Sequence, residues 1–318
     1  MDILADILND LLLKGSVYFK AELTAPWGIS IPAEHNVARF HIMARGECWL
    51  RVDGCDDLLN MVNGDLVVIP HGGAHKYYDD PTTPTRLLAE VLAEIEYSGE
   101  GLVKYGGGGA GCSLVCGQFE FKTHGRHPLL ENLPPFLHIR GGESYNKEWL
   151  DSSIEYIVQE TTQQQAGAKA IINRLSEIIL IQVIRVYIAS SKLQVPYISA
   201  LFDPRISRAL SRIHAYPHRK WKVEDLGREA GMSRAFFSRR FSELIEMTPG
   251  QYITLVRMQK AGRALESTKL PIVEIAESVG YRSEAAFSAA FKRLFGIRPG
   301  EFRRRHRGKE NSDLDTGQ

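Results

Sequence analysis

The sequence predicts a multidomain α+β protein: an N-terminal β-barrel, a helical connector, and a C-terminal all-α domain with two helix-turn-helix motifs. Three observations lead to this prediction. Short segments of alternating polar and apolar residues, separated by turn residues, fill about the first 125 residues. The residues from 203 onward contain an internal repeat. That repeated part is basic, whereas the remainder of the chain is acidic.

Length and composition favour about two globular domains. The chain has 318 residues, of which 44% are hydrophobic and 24% charged. A single core usually stops growing at about 100 to 200 residues. The most hydrophobic stretch, AIINRLSEIILIQVIRVYIA, contains Arg174, Glu177 and Arg185. We therefore expect no membrane span.

The N-terminus and the cysteines indicate a cytoplasmic protein. The opening residues MDILADILND are acidic, whereas a secretory signal begins with basic residues followed by an apolar stretch. The four cysteines do not resemble the disulfide framework of a secreted protein of this size. They all lie in the first half of the chain: Cys48, Cys55, Cys112 and Cys116.

Five segments of the N-terminal part are typical of strands, which predicts a barrel or sandwich. They are VARFHIMARG, CWLRVDG, DLVVIPHGG, TRLLAEVLAEIEY and CSLVCGQFEFK. The stretch GDLVVIPHGGAHKY places Gly64, Pro70, Gly72 and His75 in the order G-x5-P-x-G-x2-H. This order is similar to the second motif of the cupin barrel, and in that family the histidine is a metal ligand.

The first cupin motif is altered in this chain. Where the family has two histidines and a glutamate, the sequence has Ala33, His35 and Arg39. Alternate residues of a strand share a face, so we expect His35, Arg39 and His41 to point into the barrel together with His75. An arginine among histidines disfavours a divalent cation and favours an anion or carboxylate. Three uses stay open: a small-molecule pocket, a metal site, or histidines held only by hydrogen bonds. No cofactor is assigned.

The stretch YGGGGAGCSLVCG, residues 105–117, runs four glycines into two cysteines. It lacks the Gly-Lys-Ser/Thr ending of a phosphate-binding loop and no helix follows it, so we expect no nucleotide site. In an extended strand the Cα atoms of Cys112 and Cys116 would lie about 13 Å apart, beyond the ~7 Å limit for a disulfide. We expect Cys116 to be a buried core thiol. Cys112, at the edge of the loop, is the better candidate for a reactive thiol.

Residues 128–195 predict a helical connector. The segments NKEWLDSSIEYIVQETTQ and GAKAIINRLSEIILIQVIRVYIA read as two helices, and the second is apolar over more than one stripe. Such a helix is buried on two sides. One side can pack on the barrel, and the other forms either a dimer seam or an intrachain contact. The next stretch, SSKLQVPYISALFD, has no helical periodicity and contains Pro196, so residues 196–202 are predicted to be a linker.

The repeat has two copies, which begin at Val223 and Val273. The matching positions are Ser233, Phe237, Phe241, Pro249 and Tyr252 in the first copy and Ser283, Phe287, Phe291, Pro299 and Phe302 in the second. Each copy predicts a helix, a turn and a second helix. Gly231 and Gly280 can take the positive φ that the turns need, and the two serines cap the second helices.

The second helix of each copy turns its phenylalanines inward and small or polar residues outward. Such a helix suits insertion into a DNA major groove. The outward residues are Arg234, Ala235, Ser238, Arg239 and Ser242 in the first copy and Glu284, Ala285, Ser288, Ala289 and Lys292 in the second. Between the copies, GQYITLVRMQKAGRALEST predicts one continuous linker helix. Upstream, DPRISRALSRIHAY predicts a supporting helix, with Asp203 as its cap and Pro204 at its first position.

The charge divides between the two parts of the chain. Residues 203–308 contain 22 Lys+Arg and 11 Asp+Glu, a net charge of +11, whereas the remaining residues contain 17 and 27, a net charge of −10. A basic domain gains affinity for nucleic acid by releasing counterions from phosphates. A solvated basic face would show the same imbalance. Together with the paired turns, the charge favours DNA binding.

Residues 203–307 resemble the DNA-binding domain of AraC/XylS family transcription regulators. The resemblance rests on the two helix-turn-helix motifs, on Arg257, Ala261 and Leu265 along the linker helix, and on the closing stretch FKRLFGIRPGEFRR. It implies that the following residues contact DNA: Arg234, Ala235, Ser238, Arg239, Ser283, Glu284, Ala285, Ser288, Ala289 and Lys292.

Arg239 is the strongest candidate for reading bases, since arginine can donate two hydrogen bonds to guanine O6 and N7. The second recognition helix has few long donors. We therefore expect it to contribute orientation and phosphate contacts more than base readout. The candidate phosphate partners are Lys292, Arg293 and Arg303–Arg305.

The whole chain resembles the subset of these regulators that has a cupin-type N-terminal domain. This implies a transcription regulator that senses a small molecule or an oxidant, binds promoter DNA as a homodimer and contacts RNA polymerase. Some regulators of this subset respond to oxidants through cysteines, so Cys112 and Cys116 are candidate redox residues. The alternative is a metal-dependent cupin enzyme fused to a helical domain, and the altered first motif counts against it. The predicted boundaries are 1–127 for the sensor domain, 128–195 for the connector, 196–202 for the linker, 203–308 for the DNA-binding domain and 309–318 for a disordered tail.

Overall fold

A computed structural model describes residues 3–10, 13–99, 102–121, 128–141, 147–163, 165–190 and 196–305. The chain divides into two compact units. The β unit comprises Leu13–Phe121 and Leu133–Ser191, and the helical unit comprises Met1–Leu12, Lys122–Asn132 and Lys192–Gln318. The helical unit thus includes two short pieces from the N-terminal half, which differs from boundaries placed at 127 and 195. The predicted tail at 309–318 lies outside the described residues.

The strands belong to the β unit. They are β1 (Leu13–Thr24), β2 (Gly28–Ile31), β3 (Val37–Arg45), β4 (Glu47–Val52), β5 (Leu58–Val62), β6 (Leu66–Ile69), β7 (His75–Tyr78), β8 (Arg86–Leu87), β9 (Leu102–Gly106), β10 (Gly111–Phe121) and β11 (Leu137–Ile139). The helices are α1 (Ile3–Asp10), α2 (Leu88–Glu94), α3 (Pro128–Glu131), α4 (Lys147–Gln163), α5 (Ala168–Ser190), α6 (Pro196–Phe202), α7 (Ile206–Ala215), α8 (Val223–Glu229), α9 (Arg234–Ile245), α10 (Pro249–Ser267), α11 (Ile272–Ser278) and α12 (Glu284–Phe295). Residues 299–305 are also helical. Across the described ranges, no helix has the length and apolarity that crossing a bilayer requires.

The described strands form two sheets. The order is β11-β6-β3-β10-β1-β9 in the six-stranded sheet and β5-β4-β7-β2-β8 in the five-stranded sheet. Both sheets contribute to one core, which includes Met43 and Leu114 from the first and Leu50 and Tyr77 from the second. Residues 37–43 of β3 are buried without interruption, because this strand lies between β6 and β10. The prediction of a β-rich N-terminal domain is confirmed.

The segment TRLLAEVLAEIEY is a helix and not a strand over most of its length. Only Arg86–Leu87 is extended, and α2 follows directly. Its apolar residues Leu88, Val91, Leu92 and Ile95 recur at intervals of three and four, which places them on one face of a helix. The sequence prediction of a strand here is wrong, because apolar residues at this spacing bury one face of a helix and not alternate positions of a strand.

The connector is helical only in part. Strand β11 pairs antiparallel with β6 and extends the six-stranded sheet, so residues 137–139 are part of the β unit's sheet. The two predicted long helices are present as α4 and α5. Helix α5 buries Ile179, Leu180 and Val183 and packs against β1. Its opposite side leaves Ile171 and Ile178 exposed.

The predicted linker at 196–202 is helix α6, which corrects the prediction. Proline is tolerated in the first turn of a helix, where its missing N–H has no partner in any case. Pro196 begins α6, and the residues that follow it are buried against α7 and α9: Tyr197, Ile198, Ala200 and Leu201. The Tyr197 hydroxyl lies 3.1 Å from that of Tyr252 on α10. His214 Nε2 on α7 lies 2.9 Å from the same Tyr252 oxygen, so hydrogen bonds join three helices of this unit.

Candidate functional site

The first helix-turn-helix motif forms as predicted. Helix α8 ends before Gly231, whose φ is +63°. Ser233 then caps α9, since its hydroxyl accepts from the N–H of Phe236 at 3.4 Å. Phe237 and Phe241 are fully buried beneath this helix. The motif is therefore held by one turn residue, one cap and two aromatic anchors.

Helix α9 presents four of the expected DNA-binding residues on one side, since positions 234, 235, 238 and 239 are one turn apart in pairs. Arg234, Ala235 and Arg239 are exposed, and Ser238 is half-buried. The Arg239 guanidinium lies 5.6 Å from the ring centre of Phe236 and 3.7 Å from the Glu243 carboxylate. The Arg239 side chain is still 70% exposed, so its guanidinium remains accessible from solvent.

Phe236 is a surface residue that sequence reasoning missed. It is 44% exposed and lies between the arginines of α9. A signal was present: two consecutive phenylalanines point about 100° apart on a helix, so Phe236 and Phe237 could not both face the core. An aromatic side chain in this place can contact thymine methyl groups or support the neighbouring guanidinium.

The second motif repeats this construction. Gly280 has a φ of +86°, and the Ser283 hydroxyl accepts from the N–H of Ala286 at 3.4 Å to cap α12. Phe287 and Phe291 are fully buried. Ser288 is half-buried, and the other expected residues are exposed: Glu284, Ala285, Ala289 and Lys292.

The two motifs are joined by one unbroken helix, α10, as predicted. Thr248 caps it and Gln251 bonds back to the Thr248 N–H at 2.9 Å. Met258, Ala261 and Leu265 of α10 belong to the same core as the phenylalanines of α12. The linker helix is therefore packed into the second motif.

The expected phosphate partners divide into two groups. Arg303 donates to the Leu270 carbonyl oxygen at 2.5 Å and Arg305 pairs with Glu301 at 2.6 Å. Over the described residues, Lys292 and Arg293 have no ion pair. Lys292 and Arg293 are therefore available to an external anion, whereas the Arg303 guanidinium holds the Leu270 carbonyl oxygen.

In the β unit the structure separates the four residues that were expected to share a pocket. His35 is exposed in a turn before β3, so its predicted inward position is wrong: the strand begins at Val37, and the alternation does not extend back to 35. Arg39 is buried, but its guanidinium donates to the Pro32 carbonyl oxygen at 2.8 Å and pairs with Glu34 at 2.7 Å. Only His41 and His75 contact each other.

His41, His75 and Cys116 form a buried chain of hydrogen bonds, here named the histidine–thiol chain. His75 Nδ1 lies 2.8 Å from the Gly73 carbonyl oxygen, the two Nε2 atoms are 3.2 Å apart, and His41 Nδ1 is 3.2 Å from Cys116 Sγ. The chain arises because β3 pairs with β10 in a register that sets Cys116 opposite His41.

The Gly73 carbonyl oxygen, at one end of the histidine–thiol chain, determines which atom of each neutral group donates and which accepts. Gly73 O can only accept, so His75 Nδ1 donates and its Nε2 accepts from His41 Nε2. His41 Nδ1 then accepts from the Cys116 thiol. Burial lowers the pKa of His75 to about 4, lowers that of His41 well below its ordinary value, and raises that of Cys116. All three groups are therefore neutral near pH 7.

The metal that the cupin resemblance implies does not fit these residues. The two Nε2 atoms lie 3.2 Å apart, within hydrogen-bonding distance of each other, and the Cys116 sulfur lies at the opposite edge of the His41 ring. The three groups do not converge on one point. In the part of the chain that the structure describes, no group of three or more His, Cys, Asp or Glu could hold a metal ion.

Cys112 is buried, which corrects its expected place at an accessible loop edge. Strand β10 already begins at Gly111, so Cys112 faces the core and is only 4% exposed. Burial raises the pKa of its thiol to about 12, which leaves almost no thiolate at neutral pH. Cys112 and Cys116 lie four residues apart in one extended strand, a spacing too long for a disulfide.

A cavity of about 610 Å³ opens beside Arg39. Helix α2, which the sequence prediction missed, supplies part of its apolar wall. The polar lining includes Arg39 and Gln118, and the apolar lining includes Phe19, Ile31, Leu88, Leu92 and Tyr97. This cavity therefore combines a cation with aromatic and aliphatic surface.

Comparisons with known proteins agree with both halves of the chain. The cupin family profile matches residues 2–189, and a helix-turn-helix domain profile matches residues 226–305. An AraC-like transcription regulator of Streptomyces antibioticus is 32% identical over 96% of this chain and 99% of its own. The HTH-type transcriptional regulator AlkR of Acinetobacter baylyi is 31% identical over 95% of this chain and 99% of its own. The solved DNA-binding domain of AdpA, in complex with a target DNA, is 32% identical over 34% of this chain and 96% of its own, with a TM-score of 0.32.

Proposed function

Because the chain belongs to the AraC/XylS family of DNA-binding transcription regulators, we propose that it controls promoters by placing α9 and α12 in successive major-groove segments of double-stranded DNA. Its relatives are transcription regulators, and this chain is likewise a regulator and not an enzyme. The observation that supports the proposed geometry is the pair of capped, phenylalanine-anchored helices joined by the single helix α10. The two segments would lie about one helical turn, ~34 Å, apart on one face of the DNA.

Base reading is assigned chiefly to α9. Arg239 is the principal reader, because its guanidinium is exposed and oriented by Phe236, and a bidentate contact to guanine discriminates by about 1–3 kcal/mol. Arg234, Ala235 and Ser238 complete this surface. On α12 the small residues allow close approach, while Ser283 and Lys292 approach phosphates. The α12 residues assigned to the groove-facing side are Glu284, Ala285, Ser288 and Ala289, of which the last three are small.

The input is assigned to the sensor-domain cavity beside Arg39. Its apolar walls and its one guanidinium suit a small molecule that has a carboxylate and an apolar body. Glu34 now pairs with Arg39 at 2.7 Å, so an incoming carboxylate would replace it. An oxidant acting directly on Cys112 or Cys116 is disfavoured, since burial raises the pKa of both thiols.

The dimer seam is assigned to the exposed side of α5. Ile171, Leu175 and Ile178 recur at helical intervals there, and Ile171 and Ile178 are 44% and 48% exposed. Burying such a stripe against a second copy removes apolar surface from water. Sedimentation of Ile178→Glu should show a shift from dimer to monomer. A wild-type chain that sediments as a monomer would refute the seam.

Selection of bound sequences from random duplex DNA by the purified full chain tests the proposed function. We expect a bipartite site whose two conserved segments are centred about 10 base pairs apart. Recovery of unselected sequence would contradict sequence-specific binding.

Such a regulator would act in the cytoplasm, on promoter DNA and beside RNA polymerase.

A further inference from the structure

A second basic surface lies where the loop before α8 meets the turn before α12. It surrounds a cavity of about 740 Å³, here named the junction groove. Its lining includes His218, Lys220, Arg257, Glu277, Tyr281 and Arg282. The loop belongs to the first motif and the turn to the second, so the groove spans both.

Arg257 of the linker helix α10 holds this loop in place with two hydrogen bonds. Its Nε donates to the Pro217 carbonyl oxygen at 2.7 Å, and its Nη2 donates to the Arg219 carbonyl oxygen at 2.9 Å. The same guanidinium lies 5.8 Å from the ring centre of Tyr281. Arg257 is therefore a positioning residue that joins the linker helix, the loop and the turn.

The two walls of the groove meet backbone to backbone. A Cβ atom at Gly280 would lie 2.5 Å from the His218 carbonyl oxygen, closer than any side chain allows. The positive φ of Gly280 already favours glycine at this position. The loop and the turn are consequently held at one separation.

The charged groups at the rim are free to take an external partner. Lys220 and Arg282 are exposed, and throughout the described ranges neither has an ion pair. Glu277 contributes one carboxylate to the same lining, so the cations outnumber it. Nearby, Arg219 lies 4.2 Å from the ring centre of Trp221, which adds a further positive charge to the loop.

Arg282 places this groove close to the DNA-facing end of the second motif, because it directly precedes Ser283, the cap of α12. We propose that the junction groove binds a backbone phosphate of DNA where the strand passes between the two major-groove segments, with Lys220 and Arg282 as the contacting groups. The proposal rests on the proposed DNA-binding function. Such a contact carries no sequence information and sets the register of both motifs on the duplex.

The test compares salt dependence among variants of the full chain. Binding of wild type, Lys220→Ala, Arg282→Ala and Lys104→Ala is measured on a selected duplex and on a scrambled duplex, from about 50 to 200 mM KCl. Lys104 is an exposed residue of β9 and serves as the charge-matched control. Each groove variant should bind both duplexes more weakly than wild type, and by the same factor. The ratio of the affinity at about 50 mM KCl to that at about 200 mM KCl should be about three- to fourfold smaller for each phosphate contact removed. Lys104→Ala should match wild type, and Glu277→Gln should tighten both complexes.

Three outcomes would overturn the proposal. A salt slope unchanged in both groove variants would exclude a phosphate contact. Weakening of the selected duplex alone would make these residues base readers. Stabilisation of wild type, but not of the variants, by inorganic phosphate, together with equal affinities of wild type and variants for DNA, would assign the groove to a free anion. Failure of the proposed function is distinct, since the wild type would then show no preference between the two duplexes.

Discussion

Gly280 and His218 approach each other so closely that a Cβ atom at position 280 would lie 2.5 Å from the His218 carbonyl oxygen. Gly280→Ala should therefore force the loop and the turn apart and also impose a positive φ on an alanine. We expect a loss of about 2 kcal/mol or more in the free energy of unfolding, measured by urea denaturation with circular dichroism. Gly250→Ala is the control, because a Cβ there meets nothing within 4 Å. An unchanged midpoint for Gly280→Ala would contradict the close contact.

Arg239→Ala should relax the sequence preference of the chain at one or two base pairs, at a cost of about 1–3 kcal/mol on the preferred site. The reason is the loss of a bidentate donor from the exposed face of α9. Arg239→Lys is the matched variant, since it keeps the charge and loses the paired donor geometry. Selection from randomised duplexes measures both. An unaltered preference in Arg239→Ala would remove this residue from base reading.

Acid should destabilise the β unit through the histidine–thiol chain. His75 has a pKa of about 4 in the folded chain against about 6.5 when unfolded. Between these values the unfolded chain binds more protons, so the free energy of unfolding falls as pH decreases from 6.5 to about 4, by on the order of 3 kcal/mol from His75. His41 acts in the same direction.

Urea unfolding at a series of pH values measures this dependence. His75→Asn should flatten the curve between pH 6.5 and 4, because the asparagine amide nitrogen takes the position of Nδ1, where it can still donate to the Gly73 carbonyl oxygen but cannot titrate. A curve equally steep in the variant would show that other groups cause the acid sensitivity.

Arg39 should determine whether the cavity beside it prefers anions. Alkyl and aryl carboxylates should raise the melting temperature of the wild-type chain more than their matched neutral amides, because Arg39 contributes a guanidinium to this lining. Arg39→Gln should abolish the difference. Glu34→Gln should enlarge it, because it frees the guanidinium from its present partner. Equal shifts with acids and amides in the wild type would contradict a carboxylate site.

The helix-turn-helix motifs could be predicted from sequence because their signals are local. A glycine at the turn, a serine cap and phenylalanines four residues apart lie within one short stretch. Helix α6 escaped prediction although its signals are also local, since a proline inside a helix breaks it whereas Pro196 stands in the first turn, where proline is tolerated. The histidine–thiol chain depends on the register between β3 and β10, which joins residues 75 positions apart and leaves no trace in either segment alone.

Mapping of the DNA bound by the full chain across the genome tests whether α9 and α12 together read a specific operator. We expect discrete sites upstream of genes, each containing two short conserved segments about one helical turn apart. Occupancy at these sites should fall when Arg239 is replaced by alanine. Uniform occupancy without a shared sequence would contradict the claim that α9 and α12 together read a specific operator.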